Sequence, residues 1–283
     1  MQKFNNPCIK TGDFARLCNT NKRTLFHYDE IGLFSPAYTD EKGYRFYTES
    51  QCDVFFTITC LKELGMPLKE IKGYIDHRNP ADLERLLLEQ QKKVKQELKR
   101  LHRIEQVIHT KLSLVTVGGR LTFRGRISPV ALERHPEEYL AVSSRLDTDD
   151  HEALFTAICR HISHCNHHHL NAGHPYGAIL SVSSLKAGNT DLYAYFMTKL
   201  AAPDPSHESL IKPEGTYAVV YLRGNYYDAD EAYDRLFDYI EEHHLLTGEF
   251  CYKEAIWDEL TVEEAQEYIT RISIPVCSGK HGV

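Results

Sequence analysis

Between Asp82 and Val115 the chain contains neither glycine nor proline, and Leu, Lys, Gln and Glu fill most positions. That composition predicts one uninterrupted α-helix of about nine turns. Leu87, Val94, Leu101 and Ile108 recur every seven residues, flanked by Leu83, Leu98, Ile104 and Leu112. A heptad of this kind is the seam of a two-stranded coiled coil, so the helix calls for a second copy of itself. The basic group Lys92, Lys93, Lys95, Lys99, Arg100 and Arg103 is read as its wet face. Gly118-Gly119-Arg120 is expected to end the helix and begin a linker. A chain of 283 residues is too long for one ordinary core and fits a domain on each side of this helix.

The two sides differ in charge. The formal net charge is −7, but residues 1–120 hold 20 Lys+Arg against 15 Asp+Glu, and the remainder 13 against 25. The balance points to polyanion contact in the first part and another task in the second. The start, MQKFNNPCIKTGDF, shows no charged-then-apolar leader, and no apolar run is long enough to span a bilayer. A cytoplasmic protein without membrane contact is expected. The eight cysteines include no CxxC pair, which argues against a disulfide framework or a zinc ribbon.

In the basic part, TGDFARLC reads as a short helix with Thr11 as N-cap and Phe14, Ala15 and Leu17 turned inward. A second helix from about Lys22 to Glu30 follows the cap Asn21 and stops at Gly32. Two short helices joined by Asn19-Thr20 have the dimensions of a helix-turn-helix. AYTDEKGYRFY then alternates aromatic and basic residues around a Glu-Lys-Gly turn, as a two-stranded wing would, with Arg45 and tyrosine hydroxyls in reach of phosphates. Helices from about Ser50 to Leu64 and Pro67 to Asp76 complete the unit.

These features in this order resemble the MerR family of transcription regulators. The resemblance rests on Thr24-Leu25, Tyr28-Asp29, Gly32-Leu33, Pro36, Gly43-Tyr44-Arg45, Tyr47, and Gly65 with Leu68, Glu70 and Ile71. The family's usual Arg-Tyr before the tyrosine is Phe26-His27 here, and Phe26 is read as core rather than base reader. Arg16, Lys22, Arg23, Tyr28, Tyr44 and Arg45 are the candidate DNA contacts. In this family the long helix pairs antiparallel, which implies a homodimer on a roughly palindromic promoter. The family's metal sensors carry cysteines at and just beyond this helix, whereas residues 61–158 here contain none.

Beyond the helix, HPEEYLAVSSRLDTDDHEALFTAICRHISH and KPEGTYAVVYLRGNYYDADEAYDRLFDYIEEHH look alike at an offset of 77 or 78 residues. Each reads as a strand, a turn and an amphipathic helix. Each is followed by a strand pair, YGAILSVSSL with DLYAYFMTKL and FCYKEAIWDEL with YITRISIPV. Two β-α-β-β units related by a pseudo-two-fold would form one curved sheet or small barrel. This order resembles the GyrI-like effector domain of the multidrug-sensing branch of MerR regulators. The fold class expected is therefore α+β multidomain: a winged helix-turn-helix over 1–78, a coiled-coil dimerisation helix over 79–117 and an effector-binding domain over 121–276.

Tyrosines concentrate in the second part, and aromatic faces bind flat apolar molecules and organic cations. The resemblance implies a pocket between the halves with a buried Glu directly after a Tyr. Here Tyr252 is followed by Lys253 and then Glu254. Because neighbouring strand residues face opposite ways, Lys253 inward means a pocket without its acid, suited to neutral or anionic ligands. Glu254 inward, through a bulge, keeps cation sensing, and this alternative is slightly preferred because an unpaired Lys is seldom buried. The candidate effector residues are Tyr176, Tyr193, Tyr252, Glu254, Trp257 and Tyr268.

The stretch His161 to His174 holds six histidines and Cys165. At helical spacing Leu154, Ile158, Ile162 and Cys165 face inward while His161, His164 and His168 line an edge, so no functional metal site is expected. No phosphate loop, HExxH or GxSxG occurs, and neither a cofactor nor catalysis is expected. The resemblance implies a homodimeric activator that senses small lipophilic or cationic compounds and distorts promoter DNA for the RNA polymerase holoenzyme. The alternative is a small-molecule binding or hydrolysing domain with DNA contact as secondary regulation.

Overall fold

The computed structural model describes residues 8–146, 148–204 and 206–278. The leader-free reading of the start rests in part on residues 1–7, which lie outside the described residues. The chain divides into two compact units, one up to Arg100 and one from Leu101 onward. No helix among the described residues is long and apolar enough to cross a membrane.

The first unit comprises β1 (Ile9–Lys10), α1 (Thr11–Leu17), α2 (Lys22–Glu30), β2 (Tyr38–Thr39), β3 (Arg45–Tyr47), α3 (Gln51–Glu63), α4 (Leu68–Asp76) and the start of α5 (Pro80–Arg120). Its core is aromatic, with Phe14 stacked on Tyr47 at 4.5 Å between centroids and Phe34 on Tyr47 at 5.7 Å. Leu25, Tyr28, Phe55, Ile58, Leu61 and Ile71 close around these rings. The Asn21 side chain accepts the Thr24 N–H at 2.8 Å and so caps α2. Gly32, at φ +66°, ends it. β1 joins the wing as a third strand, giving the order β1-β3-β2.

Two local expectations fail in α1. Its N-cap is Lys10, and the Thr11 hydroxyl instead donates to the Arg45 carbonyl at 2.9 Å. Leu17 is 62% exposed, because Phe14, Ala15 and Cys18 already fill the inward arc.

The 41-residue helix α5 passes straight through Gly118-Gly119, where a stop was expected. Packing supplies the reason. A Cβ on Gly118 would lie 2.2 Å from the Trp257 indole nitrogen, so this glycine is a seat for the ring rather than a breaker.

The second unit adds β4 (Ala131–His135), β5 (Glu138–Val142), α6 (His151–His167), β6 (Tyr176–Ser181), α7 (Val182–Lys186), β7 (Tyr193–Lys199), β8 (Ser209–Lys212), β9 (Gly215–Arg223), α8 (Asp230–Glu242), β10 (Leu245–Thr247), β11 (Phe250–Trp257) and β12 (Ile269–Ser278). The antiparallel sheet runs β4-β9-β12-β11-β6-β7-β5-β8, with β10 beside β12. The two β-α-β-β units, β5-α6-β6-β7 and β9-α8-β11-β12, thus meet at the β6·β11 pairing, and β8 and β4 extend the outer edges. One face of the sheet, including Ala178, Leu180, Phe196, Val220 and Ile272, packs against α6 and α8. The opposite face, with Ile179, Met197, Tyr217, Val219 and Tyr252, packs against Leu114 of α5, Leu121 and Phe123.

Candidate DNA-reading surface and effector site

The candidate DNA contacts separate into a surface set and a core residue. Lys22 and Arg23 are exposed at the start of α2, and Tyr44 is 65% exposed at the tip of the wing. Arg16 is exposed and paired with Asp13. Arg45 donates to Asp29 at 2.8 Å, and its guanidinium carbon lies 4.8 Å from the centre of the Phe26 ring. Wing and recognition helix are thereby tied by one ion pair and one cation–π contact. Tyr28 differs from its expected role: it is 4% exposed, against Phe55, because it shares the inward face of α2 with Leu25. Phe26, read as core, is 38% exposed and forms the shelf under Arg45. The pair of expectations is inverted because residues two apart in a helix point about 200° from each other, to nearly opposite sides, and composition cannot say which is inside.

In the second unit the sheet divides the effector candidates between its faces. Lys253 pairs with Ala178 and Glu254 with Gly177, so Lys253 points toward the helices and Glu254 away from them. The β-bulge in β11 falls between Ala255 and Trp257, beyond both residues, and brings neither to the other's face. Glu254 therefore does not share a cavity wall with Tyr193, against the preferred alternative.

On the face away from the helices, Glu254 accepts from Lys212 at 2.9 Å and from Arg271 at 2.9 Å. Lys212, which is 0% exposed, also lies 3.3 Å from Glu138, and Glu138 is paired with Lys199. Burial pushes the Glu254 carboxyl up, but Arg271 and Lys212 outweigh it and hold the group far below the usual carboxylate range. Tyr252 belongs to this cluster, with its ring centre 5.0 Å from the Lys212 Nζ. A small cavity of about 160 Å³ beside it is lined by the charged groups Glu138, Lys199 and Arg271 with His174, and also by apolar ones, Leu140 and Met197 among them. Its carboxylates already face cations, and its volume is below that of a drug-sized ligand site. Trp257 packs in the core of this same face, against Gly118. Tyr252, Glu254 and Trp257 accordingly serve the architecture of this side of the sheet.

On the helix-covered face, Tyr193 and Lys253 come together with two residues that sequence reasoning passed over, Tyr226 and Tyr233. The Lys253 Nζ is 4.1 Å from the Tyr226 ring centre and 5.9 Å from those of Tyr193 and Tyr233. Burial lowers its pKa to about 8, and burial raises those of Tyr226 and Tyr233 well above the ordinary phenol value. Tyr176 lies on the same face, two residues before Ala178, and Tyr227 nearby is 56% exposed. Tyr268 is half-buried just before β12. In the sequence Tyr226 and Tyr233 stand within GNYYDADEAYD, a turn leading into an amphipathic helix, where nothing local marks either ring as facing Lys253.

The histidine stretch is also resolved into parts. His161 is 4% exposed and lies 2.9 Å from the Thr198 hydroxyl, inward rather than on the helix edge. Burial lowers its pKa to about 4, so it is a neutral core residue. His164 is hydrogen-bonded to His207 at 3.2 Å, and the His168 ring lies tilted beside both. Among the described residues no group of three or more His, Cys, Asp or Glu side chains has the arrangement to hold a metal ion.

Residues 9–78 match the MerR HTH family regulatory protein model, and residues 131–276 match the GyrI-like small molecule binding domain model. The chain is 32% identical over 266 residues to the multidrug-efflux transporter 2 regulator of Bacillus subtilis, covering 94% of this chain and 95% of that protein. The multidrug-efflux transporter 1 regulator of the same organism is 37% identical over 98 residues, 34% of this chain and 35% of that protein. Its HTH-type transcriptional activator mta is 31% identical over 131 residues, 44% of this chain and 49% of that protein. With a match to the first model in its N-terminal unit, a match to the second in its sheet, and a relative aligned over nearly the whole of both chains, the chain belongs to the MerR family of transcription regulators carrying a C-terminal GyrI-like domain.

Proposed function

We propose that this chain is a homodimeric, ligand-responsive transcription activator that senses small lipophilic compounds and acts by distorting promoter DNA. The observation that carries the proposal is the solvent-facing apolar seam of α5. Val94, Leu98, Leu101, Ile108 and Leu112 are 48–62% exposed along one stripe of this helix. A seam of that length is stable in water only against another seam, and a second copy of α5 is its natural complement. A two-fold dimer would place two α2 helices and two wings on half-sites of a roughly palindromic promoter. Arg16, Lys22, Arg23, Tyr44 and Arg45 would meet the phosphates and base edges, and Tyr28 would support them from within. Tyr176, Tyr193 and Tyr268, joined by Tyr226, Tyr233 and Lys253, would form the effector site. Such a protein works beside the chromosome, in the cytoplasm, as a regulator rather than an enzyme.

The relatives' names speak of multidrug-efflux regulation, and a ligand class of apolar aromatic molecules fits the tyrosine-lined face. In mechanism, the ligand would favour the DNA-distorting state by binding it more tightly. The added protein contacts would then offset the deformation, allowing RNA polymerase holoenzyme to engage both promoter elements. The test is in vitro transcription from a palindromic promoter with an overlong spacer, with and without a panel of lipophilic compounds. Ligand-dependent transcript is the expected result, and no response to any compound would remove the proposal's support.

A substitution tests the reader independently. Arg45→Ala removes a phosphate partner and the tie to Asp29 and Phe26. Operator affinity is expected to fall about tenfold, with the slope of log K against log salt smaller by about one. Fluorescence anisotropy across a salt series reads both quantities, and an unchanged slope would exclude Arg45 from phosphate contact.

A further inference from the structure

Two polar groups on the helix-covered face of the sheet lack the partners their burial demands. Lys253 is 1% exposed, and among the described residues it forms no ion pair or side-chain hydrogen bond; the rings of Tyr193, Tyr226 and Tyr233 lie around its ammonium. Tyr233 is 2% exposed, and its hydroxyl has no hydrogen-bond partner among the described residues. Burying a charge without a counter-ion is costly, and leaving a hydroxyl unpaired adds to the cost. The other buried lysine on this sheet, Lys212, is treated differently, with two carboxylates within 3.3 Å. The contrast marks Lys253 as a cation waiting for an anion.

The surroundings specify what kind. Tyr193, Tyr226 and Tyr233 offer ring faces around the ammonium, the chemistry a flat aromatic body would stack on once one ring gives way. Tyr226 sits on the loop between β9 and α8, after Gly224 at φ +122°, and its hydroxyl reaches the Lys253 carbonyl at a long 3.4 Å. It is the member of the cage a ligand would displace. An acidic group on an aromatic ring would supply the missing counter-ion to Lys253 and an acceptor to Tyr233 together. We propose that the effector site takes aromatic anions, namely aryl carboxylates or sulfonates, with Lys253 as the ion-pair partner and Tyr233 as a hydrogen-bond donor.

This rests on reading the second unit as the effector-binding half. Burial lowers the Lys253 pKa only to about 8, so the ammonium form prevails at pH 7 and a counter-ion is needed there. Against the effect of burial, which dominates, Cys251, Asp191, Asp230 and Asp228 act on Lys253 through space, none of them as an ion-pair partner.

The experiment is calorimetric titration of the full chain at pH 7 with 2-naphthoate, 2-naphthamide and 2-naphthylmethylammonium. These probes share a ring and differ in charge. Naphthoate is expected to bind at least tenfold more tightly than either of the others. Lys253→Met should erase that advantage, and Lys253→Glu should transfer it to the ammonium probe. Tyr233→Phe, which removes only one oxygen, is expected to weaken naphthoate severalfold and keeps the test open if a Lys253 variant does not fold. Equal or tighter binding of the ammonium probe to the unaltered protein overturns the proposal, as does no binding of any probe or an advantage that survives Lys253→Met. Calorimetry needs no DNA, so the two readings fail separately. Lys253-dependent naphthoate binding without a transcriptional response would uphold the pocket and sink the effector reading. A response confined to cations would do the reverse.

Discussion

Replacing Glu254 by alanine is expected to destabilise the second unit by about 3–5 kcal/mol, the usual loss when one partner of a buried ion cluster is removed. The substitution strands Arg271 and the fully buried Lys212, leaving Lys212 with Glu138 alone. The lone tryptophan, Trp257, lies in this unit, so its fluorescence during urea unfolding reports on this half separately. Glu254→Ala combined with Lys212→Met should recover a good part of the loss, because a cation is removed with its anion. The sign with pH follows from the direction of the shift. The folded-state pKa of Glu254 is depressed, so its stabilisation is complete above the ordinary carboxylate value of 4.5 and is lost only as pH falls toward the folded value. The cluster should therefore remain intact at pH 5. A cost below about 1 kcal/mol for Glu254→Ala would mean that water or neighbouring carboxylates take its place.

The second large effect is expected from α5. Leu98→Asp together with Leu101→Glu puts two charges into a seam whose residues are 60% and 50% exposed in the single chain. A buried, unpaired charge in a coiled-coil interface is costly enough to dissociate it. Sedimentation should then report a monomer, and operator affinity should fall at least about a hundredfold, since two half-sites are no longer held by one particle. Circular dichroism should change little, because helix α5 is anchored in both units through residues outside the seam, Leu86 and Leu114 among them. A variant that stays dimeric would move the interface elsewhere.

What could be read from the sequence was whatever repeats or follows a local rule. The uninterrupted helix, the Asn21 cap, the Gly32 stop and the order of strands and helices in the second unit all depend on spacing alone. The elements that escaped depend on a neighbour distant in sequence. Gly118 looks like a breaker until Trp257 is placed against it. Tyr28 and Phe26 are exchanged because the inner arc of α2 is chosen by Phe55 and the wing rather than by α2 itself. The candidate effector residues came from one list of tyrosines, yet Tyr252 stands on Lys212 while Tyr193 stands near Lys253 across the sheet. Deciding between Lys253 and Glu254 required the pairing of β11 with β6, which no single strand contains. His207 joined the histidines from a loop 43 residues away from His164, beyond the reach of any helical periodicity.

The junction between β6 and β11 has a further consequence. The two halves of the sheet are joined there edge to edge, from Phe250 opposite Ser181 to Glu254 opposite Gly177, without a crossover strand. One β-α-β-β unit by itself would carry an unpaired backbone edge at that position, and an open edge invites the nearest strand of the same kind. A shorter polypeptide bearing a single unit has the means to build the same ligand-binding sheet by associating with its twin. In the present chain the covalent linkage turns that association into an intramolecular event, which frees each half to change independently. Asymmetry is what such freedom leaves behind, and a lysine introduced into one half needs no counterpart in the other.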